Sequence, residues 1–186
     1  MSIEMDLLSL SKKIKKNCPI VQDLQEPVSR LAAVLVPLFQ KNGCLHVLMT
    51  KRSLTLKIHP GEISFPGGTF EKQDKNLLTT ALRETQEEIG WQVQKSAVIG
   101  SLEKVTTRSG YEITPFVTTC DTIPPYGRLS TEVLEVLEIP LHEMFRTSQP
   151  DRRFHPSENM GIYWHNHHRV WGASAKILRQ LELLAT

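Results

Sequence analysis

The stretch GGTFEKQDKNLLTTALRETQEEIG, residues 67–90, decides how the fold of this chain is interpreted. A glycine pair and a polar segment precede a helical pattern that begins near Asn76 and that Gly90 ends. At about 100° per residue, one side of this helix is formed by Leu78, Ala81, Leu82, Thr85 and Ile89. We expect this side to be buried.

A different face of the same helix carries Glu84, Glu87 and Glu88 at i, i+3 and i+4 spacing. These carboxylates repel one another near the negative end of the helix dipole, at a cost of a few tenths to about 1 kcal/mol each. A hard cation relieves the repulsion, because Mg²⁺ or Mn²⁺ takes oxygen ligands. We therefore expect an exposed face that binds Mg²⁺ or Mn²⁺, with Arg83 paired to Glu87. An ordinary solvated helix face is the alternative.

The residues before the helix favour the metal interpretation. Gly67 and Gly68 follow a short extended segment, Glu62 to Phe65, and a glycine pair lets the backbone turn sharply and approach a phosphate closely. A metal face next to a phosphate-binding backbone is the arrangement that phosphate chemistry needs.

The segment from Gly68 to Trp91 resembles the Nudix box. That box is a Gly, five residues, a Glu, seven residues and then Arg-Glu-apolar-x-Glu-Glu-x-Gly-apolar. This chain departs from it in three ways: Asp74 replaces the first Glu, one extra residue precedes Arg83, and Thr85 replaces an apolar residue.

These departures resemble one Nudix subgroup, the coenzyme A diphosphatases, which also carry an upstream signature. This chain matches it in the stretches LMTKRS, residues 48–53, and HPGEISFPGG, residues 59–68. The resemblance extends from about Val28 to Leu178. It implies an α+β fold of the Nudix type, an α/β/α sandwich with a mixed central β-sheet.

The resemblance also implies an activity, the metal-dependent hydrolysis of coenzyme A or its derivatives to 3',5'-ADP and 4'-phosphopantetheine. Two alternatives stay open. One is a Nudix hydrolase of another nucleoside diphosphate derivative, such as ADP-ribose or NADH, and the other is a nucleotide-binding module without catalysis. The intact carboxylate triple argues against the last, since a binder has no need of mutually repelling charges.

Carried over to this sequence, the resemblance makes Glu84 and Glu88 metal ligands. Glu87 is either a third metal ligand or the general base, and Arg83 is expected to orient it. Glu87 and Arg83 are therefore the expected catalytic residues. The superfamily recruits its base from different places, so the sequence leaves the base open.

The expected substrate-binding residues are Lys51, Arg52, His59, Gly67 and Gly68. Lys51 and Arg52 suit phosphate oxygens, although they could equally be solubilising charges at a strand end. His59 either donates to a phosphate or organises its loop. Glu62 either points toward the metal cluster or pairs with a backbone group.

The remaining pattern consists of strands with few helices. Predicted strands are 30–39, 45–50, 92–102, 113–119, 131–139 and 161–164, with an Asn-Gly turn after Lys41, helices at both ends of the chain and a loop over 148–159. The helix at the start includes Met5 and Ile14, and the last one covers 173–184. We assign residues 1–27 to an N-terminal helix and lead-in loop and residues 28–186 to the Nudix hydrolase domain.

Composition limits the partners. With 186 residues and a net charge of +2, the chain fits one globular domain that we expect to bind a small molecule and no nucleic acid. Its apolar runs are far shorter than the roughly 20 residues of a membrane span, so we expect no membrane partner. Three scattered cysteines and the lack of an export signal favour a cytoplasmic location, and a homodimer is left open.

Overall fold

The computed structural model describes residues 6–20, 30–122, 124–153 and 161–186. The helices in these ranges are α1 (Leu7–Asn17), α2 (Leu77–Ile89), α3 (Leu141–Arg146) and α4 (Gly172–Ala185). The strands are β1 (Leu31–Lys41), β2 (Cys44–Arg52), β3 (Ile63–Ser64), β4 (Gly67–Thr69), β5 (Val98–Ser101), β6 (Val105–Thr106), β7 (Glu112–Cys120), β8 (Val133–Pro140), β9 (Gln149–Pro150), β10 (Gly161–His165) and β11 (His168–Val170). None of these helices combines the length and apolarity needed to cross a bilayer.

The central sheet is mixed, as predicted. Strand β1 runs parallel to β7 and antiparallel to β2, and β2 continues the sheet to β8. The predicted hairpin between β1 and β2 is confirmed, with its turn at Asn42 (φ 52°) and Gly43 (φ 74°). Both residues adopt the left-handed conformation that a tight primed turn requires.

Strands β1 and β2 separate away from the hairpin turn. They pair from Leu38 and Val47 to the turn, and beyond this point β4 pairs with β1 while β3 pairs with β2. The backbone N–H of Leu35 donates to the carbonyl of Pro66, at 2.8 Å. The segment from Ile63 to Thr69 therefore fills the gap between the two strands, which brings the glycine pair into the sheet.

Helices cover both faces of the sheet, which confirms the α/β/α sandwich. Ala33, Leu35 and Phe39 of β1 belong to a buried cluster that includes the apolar side of α2. Val36 and Leu38 face the opposite way, into a cluster with α1 and α4. This alternation is the period of a strand that is buried on both faces.

The strand predicted over 92–102 is largely wrong. Only Val98–Ser101 is a strand, and it follows a single 3₁₀ turn at Lys95–Ala97. Trp91 and Val93 are buried, in the same cluster as α2. Their alternation with polar residues thus reflects burial and not strand pairing.

Five short elements escaped the sequence analysis: β4, β6, α3, β9 and β11. Strand β9 lies within the predicted loop 148–159 and pairs with β10. Each has six residues or fewer, so periodicity carries little signal. Met5, Val28, residues 154–159 and the boundary between residues 27 and 28 lie outside the described residues.

Both ends of α2 are capped, and Gly90 ends the helix as predicted. At the N-terminus, the side chain of Asn76 accepts a hydrogen bond from the N–H of Thr79, at 2.9 Å. At the C-terminus, Gly90 adopts the left-handed conformation with φ 68°. These caps fix where α2 begins and ends, and so which residues reach the glycine pair.

Replacing the N-cap tests this anchoring. We expect Asn76→Ala to lower the free energy of unfolding by about 1 kcal/mol, because the first turn of α2 loses its side-chain acceptor. Urea denaturation measures the change. Gln86→Ala, at an exposed position of the same helix, is the matched control and should shift the free energy by less than about 0.5 kcal/mol.

Candidate active site

Glu88 is buried, and the prediction that it is exposed is wrong. Only 8% of the residue is exposed, and its Oε2 accepts a hydrogen bond from the backbone N–H of Gly67, at 3.1 Å. The cause is β4, which packs against α2 and covers this carboxylate. Helical periodicity alone contains no information about a strand that folds back from residues 67–69.

Burial dominates the electrostatics of Glu88. It raises the pKa of Glu88 to about 8, against the effects of the Gly67 hydrogen bond and of Arg52, both of which lower it. The charges of Glu84 and Glu132 raise the pKa further. In the absence of a bound metal ion, the raised pKa of Glu88 therefore favours the protonated carboxyl at neutral pH.

Glu84 lies against the second glycine. A Cβ atom at Gly68 would lie 2.5 Å from the carboxyl carbon of Glu84, so only glycine permits this approach. Gly67, with φ 151°, would in turn direct a Cβ into the backbone of Ala33. Burial also raises the pKa of Glu84, although Arg83 opposes the shift. Glu84 and Glu88, one helical turn apart, thus meet the same glycine pair.

Arg83 connects the acidic residues around the helix. Its guanidinium donates to both carboxylate oxygens of Asp74, at 3.0 Å each, and to the carbonyl of Thr69, at 3.2 Å. It also donates to Glu84 at 3.0 Å and to Glu87 at 3.1 Å. The predicted pairing with Glu87 is confirmed, and the hydrogen bond from Arg83 to Asp74 is the largest influence raising the pKa of Arg83.

Asp74, which departs from the box, is the main anchor of Arg83. It is buried and also accepts hydrogen bonds from the N–H of Glu71, at 3.0 Å, and the hydroxyl of Thr80, at 2.9 Å. Burial by itself raises the pKa of Asp74, but the bonds from Arg83, Glu71 and Thr80 bring it below its usual value. The carboxylate is therefore charged, and the longer loop before the helix carries it to Arg83.

Glu87 is the most exposed acid of the triple. Its side chain is 59% exposed and contacts Arg83. In the described part of the chain, no three His, Cys, Asp or Glu side chains are grouped closely enough to hold a metal ion as they stand. The structure thus brings Glu84 and Glu88 to the glycine pair, while Glu87 turns toward Arg83.

Lys51 and Arg52, although adjacent in β2, lie near different groups. Arg52 lies close enough to Glu88 to lower its pKa, and its Nη2 is 3.6 Å from Oε2 of Glu132. Lys51, one residue earlier, contributes to lowering the pKa of His168 on β11, after the larger effect of burial. Neighbouring residues of a strand point to opposite sides. Arg52 thus joins the carboxylate site, whereas Lys51 lies toward β11.

His59 and Glu62 bind each other. Nδ1 of His59 is 2.8 Å from Oε1 of Glu62, and both lie in the loop between β2 and β3. His59 has φ 55°, and Gly61 has φ 71° with no room for a Cβ beside Leu54. The pair closes the turn that leads into the glycine segment.

The family of the chain follows from comparison with known proteins. A family model described as NUDIX domain matches residues 29–157, which is more than half of the chain. This chain belongs to the Nudix family. The match covers β1 to β9 and includes the whole carboxylate site.

Relatives of similar length agree with this assignment. The Nudix hydrolase NudL of Cronobacter sakazakii is 37% identical over 162 residues, which cover 83% of this chain and 82% of the relative. The protein of the same name from Citrobacter koseri is 37% identical over 165 residues, with the same coverage. The chain is therefore a Nudix hydrolase.

Solved structures agree on the fold. The NUDIX domain of Shewanella oneidensis NrtR, solved with ADP-ribose, has a TM-score of 0.58 at 16% identity and covers 87% of this chain and 94% of that one. A MutT/nudix family protein from Enterococcus faecalis has a TM-score of 0.60 at 13% identity, covering 96% and 69%. At these identities the likeness shows the Nudix fold alone.

The residues present fit a divalent cation, the cofactor that Nudix hydrolases generally need. Glu84 and Glu88 offer hard oxygen donors, and burial raises the pKa of both. A Mg²⁺ or Mn²⁺ ion between them would offset their repulsion and favour the charged form of Glu88. The close contact of Glu84 with Gly68 keeps its carboxylate beside the glycine backbone.

One residue near this site escaped the sequence analysis altogether. Glu132 is the acid outside α2 whose charge raises the pKa of Glu88, and it lies just before β8. It is 44 positions from Glu88 (132 minus 88) and belongs to no motif recognised in the chain. No sequence signal connects it to the helix.

The burial of Glu88 predicts a pH dependence of stability without metal. Because the pKa of folded Glu88 is raised to about 8, the folded state binds more protons than the unfolded state between about pH 4.5 and pH 8. Glu88 therefore destabilises the fold increasingly as pH rises through this window, by up to about 1.4 kcal/mol per pH unit.

Glu88→Gln should remove this slope, and the variant should gain stability relative to the wild type from pH 5 to pH 8. Urea denaturation in EDTA at several pH values measures the difference. Glu87→Gln controls for the loss of one charge from the same helix. An unchanged difference between Glu88→Gln and the wild type across the pH range would contradict the assigned burial.

The contact between Gly68 and Glu84 predicts a selective loss of metal binding. In Gly68→Ala, the new Cβ would displace the flexible end of Glu84, so the chain should fold while its affinity for Mn²⁺ falls about tenfold or more. Isothermal titration calorimetry measures the affinity and thermal unfolding checks the fold. Gly161→Ala, where a Cβ would lie 3.8 Å from the carbonyl of Gln149, is the control.

Proposed function

We propose that this Nudix hydrolase cleaves the diphosphate bond of coenzyme A or its derivatives, releasing 3',5'-ADP and 4'-phosphopantetheine. The observation that carries the proposal is a contact between two motifs, the upstream signature and the carboxylates of α2. The upstream segment ending at Gly68 inserts between β1 and β2 and contacts Glu84 and Glu88 of α2. The signature that resembles the coenzyme A subgroup is thus built into the carboxylate site.

Metal binding in this proposal rests on Glu84 and Glu88, with Glu87 as a third ligand or as the general base. A bound Mg²⁺ or Mn²⁺ supplies neutralisation of the diphosphate and activation of water. Arg83 keeps Glu84 and Glu87 in reach of each other, because one nitrogen, Nη1, donates to both carboxylates. Arg83 therefore acts by orientation.

Substrate binding rests on the backbone and the cations beside these acids. The main chain of Gly67 and Gly68 lies directly beside Glu84 and Glu88, so in this proposal it lines the place where the metal and the diphosphate bind. Arg52 supplies a planar donor next to Glu88, and Lys51 supplies a charge on the side of β11. His59, paired with Glu62, holds the loop that carries the glycine segment.

The reaction adds water across the diphosphate. The oxygen of water forms a bond to one phosphorus atom, the bond from that atom to the bridging oxygen breaks, and its electron pair leaves with the other phosphate. The proton of the water passes to a carboxylate of the site, for which exposed Glu87 is our choice. Arg83 holds Glu87 in place for this step.

A substrate panel tests the proposal. Purified protein is incubated with Mg²⁺ or Mn²⁺ and coenzyme A, acetyl-coenzyme A, ADP-ribose or NADH, and the products are separated by chromatography. We expect 3',5'-ADP from coenzyme A with the highest kcat/KM. We expect Glu84→Gln to lower kcat at least 100-fold, whereas Glu143→Gln, an exposed acid on α3, should leave it unchanged.

Two results would overturn this assignment. A preference for ADP-ribose over coenzyme A by more than about tenfold, or about 1.4 kcal/mol in transition-state stabilisation, would indicate another Nudix substrate. Nucleotide binding without turnover of any substrate in the panel would indicate a binding module.

A further inference from the structure

The end of α2 is capped by a loop that leads to Glu132. The last carbonyls of a helix need partners from outside the helix. Here the carbonyl of Ile89 accepts from the N–H of Gly127, at 2.8 Å, and that of Glu88 accepts from the N–H of Ser130, at 2.9 Å. The loop before β8 is therefore fixed to the same residue, Glu88, whose side chain lies in the site.

The same loop is fixed to the end of β2. The carbonyl of Glu132 accepts from the N–H of Ser53, at 2.7 Å, and its N–H donates to the hydroxyl of Ser130, at 3.3 Å. The pairing of β2 with β8 ends with Arg52 opposite Val133. Glu132 is thus held by its backbone between the end of α2 and the end of β2.

The side chain of Glu132 forms an ion pair with Arg52. Oε2 of Glu132 lies 3.6 Å from Nη2 of Arg52, with 55% of the glutamate side chain exposed and 27% of the arginine side chain. Nε of Arg52 is buried and has no acceptor among the described residues. The guanidinium therefore pairs with Glu132 at the surface, and its charge also lowers the pKa of the buried Glu88.

We propose that Glu132 is a positioning residue, which holds the Arg52 guanidinium in place for the substrate's diphosphate; this inference rests on the proposed function. Without Glu132, the guanidinium of Arg52 loses the ion-pair partner at 3.6 Å that limits its rotamers. A diphosphate entering the site meets a guanidinium that is already oriented, so less side-chain freedom is lost on binding. Glu132 acts through Arg52 and does not contact the reacting atoms.

This role predicts an effect on binding and not on the chemical step. We expect Glu132→Gln to raise KM about three- to fivefold, the size of an exposed ion pair, with kcat within twofold of the wild type. Arg52→Gln should raise KM about tenfold or more. The double variant should match Arg52→Gln alone, because Glu132 has nothing left to position.

The experiment compares these three variants with Glu143→Gln, whose side chain is 60% exposed and which lies on α3 outside the site. Steady-state kinetics with coenzyme A gives KM and kcat. Calorimetric titration with α,β-methylene-ADP, which cannot be hydrolysed at its bridging carbon, gives Kd without turnover. Thermal unfolding checks that every variant folds; the backbone bonds of Glu132 stay intact in Glu132→Gln.

Three results would overturn the inference: an unchanged KM and Kd in Glu132→Gln, a fall in kcat at constant KM, or additive effects in the double variant. Failure of the proposed function gives a different result. In that case the wild type hydrolyses none of the substrates in the panel, while the titration with α,β-methylene-ADP still shows whether Glu132 and Arg52 are coupled.

Discussion

The contact between the Gly67-Gly68 pair and α2 is the constraint on which the rest of the site depends. It requires that β1 and β2 separate, since the glycine segment enters the sheet only through that gap. It requires glycine at both positions, because a side chain would meet the backbone of Ala33 or the carboxylate of Glu84. The glycine pair, which suggests a flexible loop in the sequence, is therefore held between β1 and α2.

This contact changes the chemistry of the helix beside it. A carboxylate on an exposed helix face keeps its ordinary pKa, but Glu88 lies under β4, where burial raises its pKa to about 8. Such a group is unfavourable for folding alone and favourable for binding a divalent cation. Stability without metal and affinity for metal thus oppose each other at one residue.

The two arginines of the site, Arg83 and Arg52, have different roles. Arg83 is fully engaged by Asp74, Glu84, Glu87 and the carbonyl of Thr69, which makes it part of the scaffold. Within the described residues, Arg52 makes one ion pair, at 3.6 Å with the partly exposed Glu132. In the proposed site, Arg83 orients the carboxylates and Arg52 binds the phosphate of the substrate.

Local patterns in the sequence determined much of this protein. Periodicity and the terminating Gly90 predicted α2, the Asn-Gly turn predicted the first hairpin, and the i to i+4 spacing predicted the pair of Arg83 with Glu87. Each of these depends on residues within a few positions of one another. The resemblance to the Nudix family is confirmed as well. It could be recognised from the sequence because its motifs are also short.

Only the tertiary structure decided which carboxylate is buried and what surrounds it. Glu88 is covered by a strand 21 positions earlier (88 minus 67), and Glu132 reaches Arg52 because a loop caps α2 and joins β8 to β2. Trp91 and Val93 alternate with polar residues as in a strand, but they are buried without belonging to a strand. Exposure and pKa depend on what packs against a residue, and that contact comes from parts of the chain that local patterns do not connect.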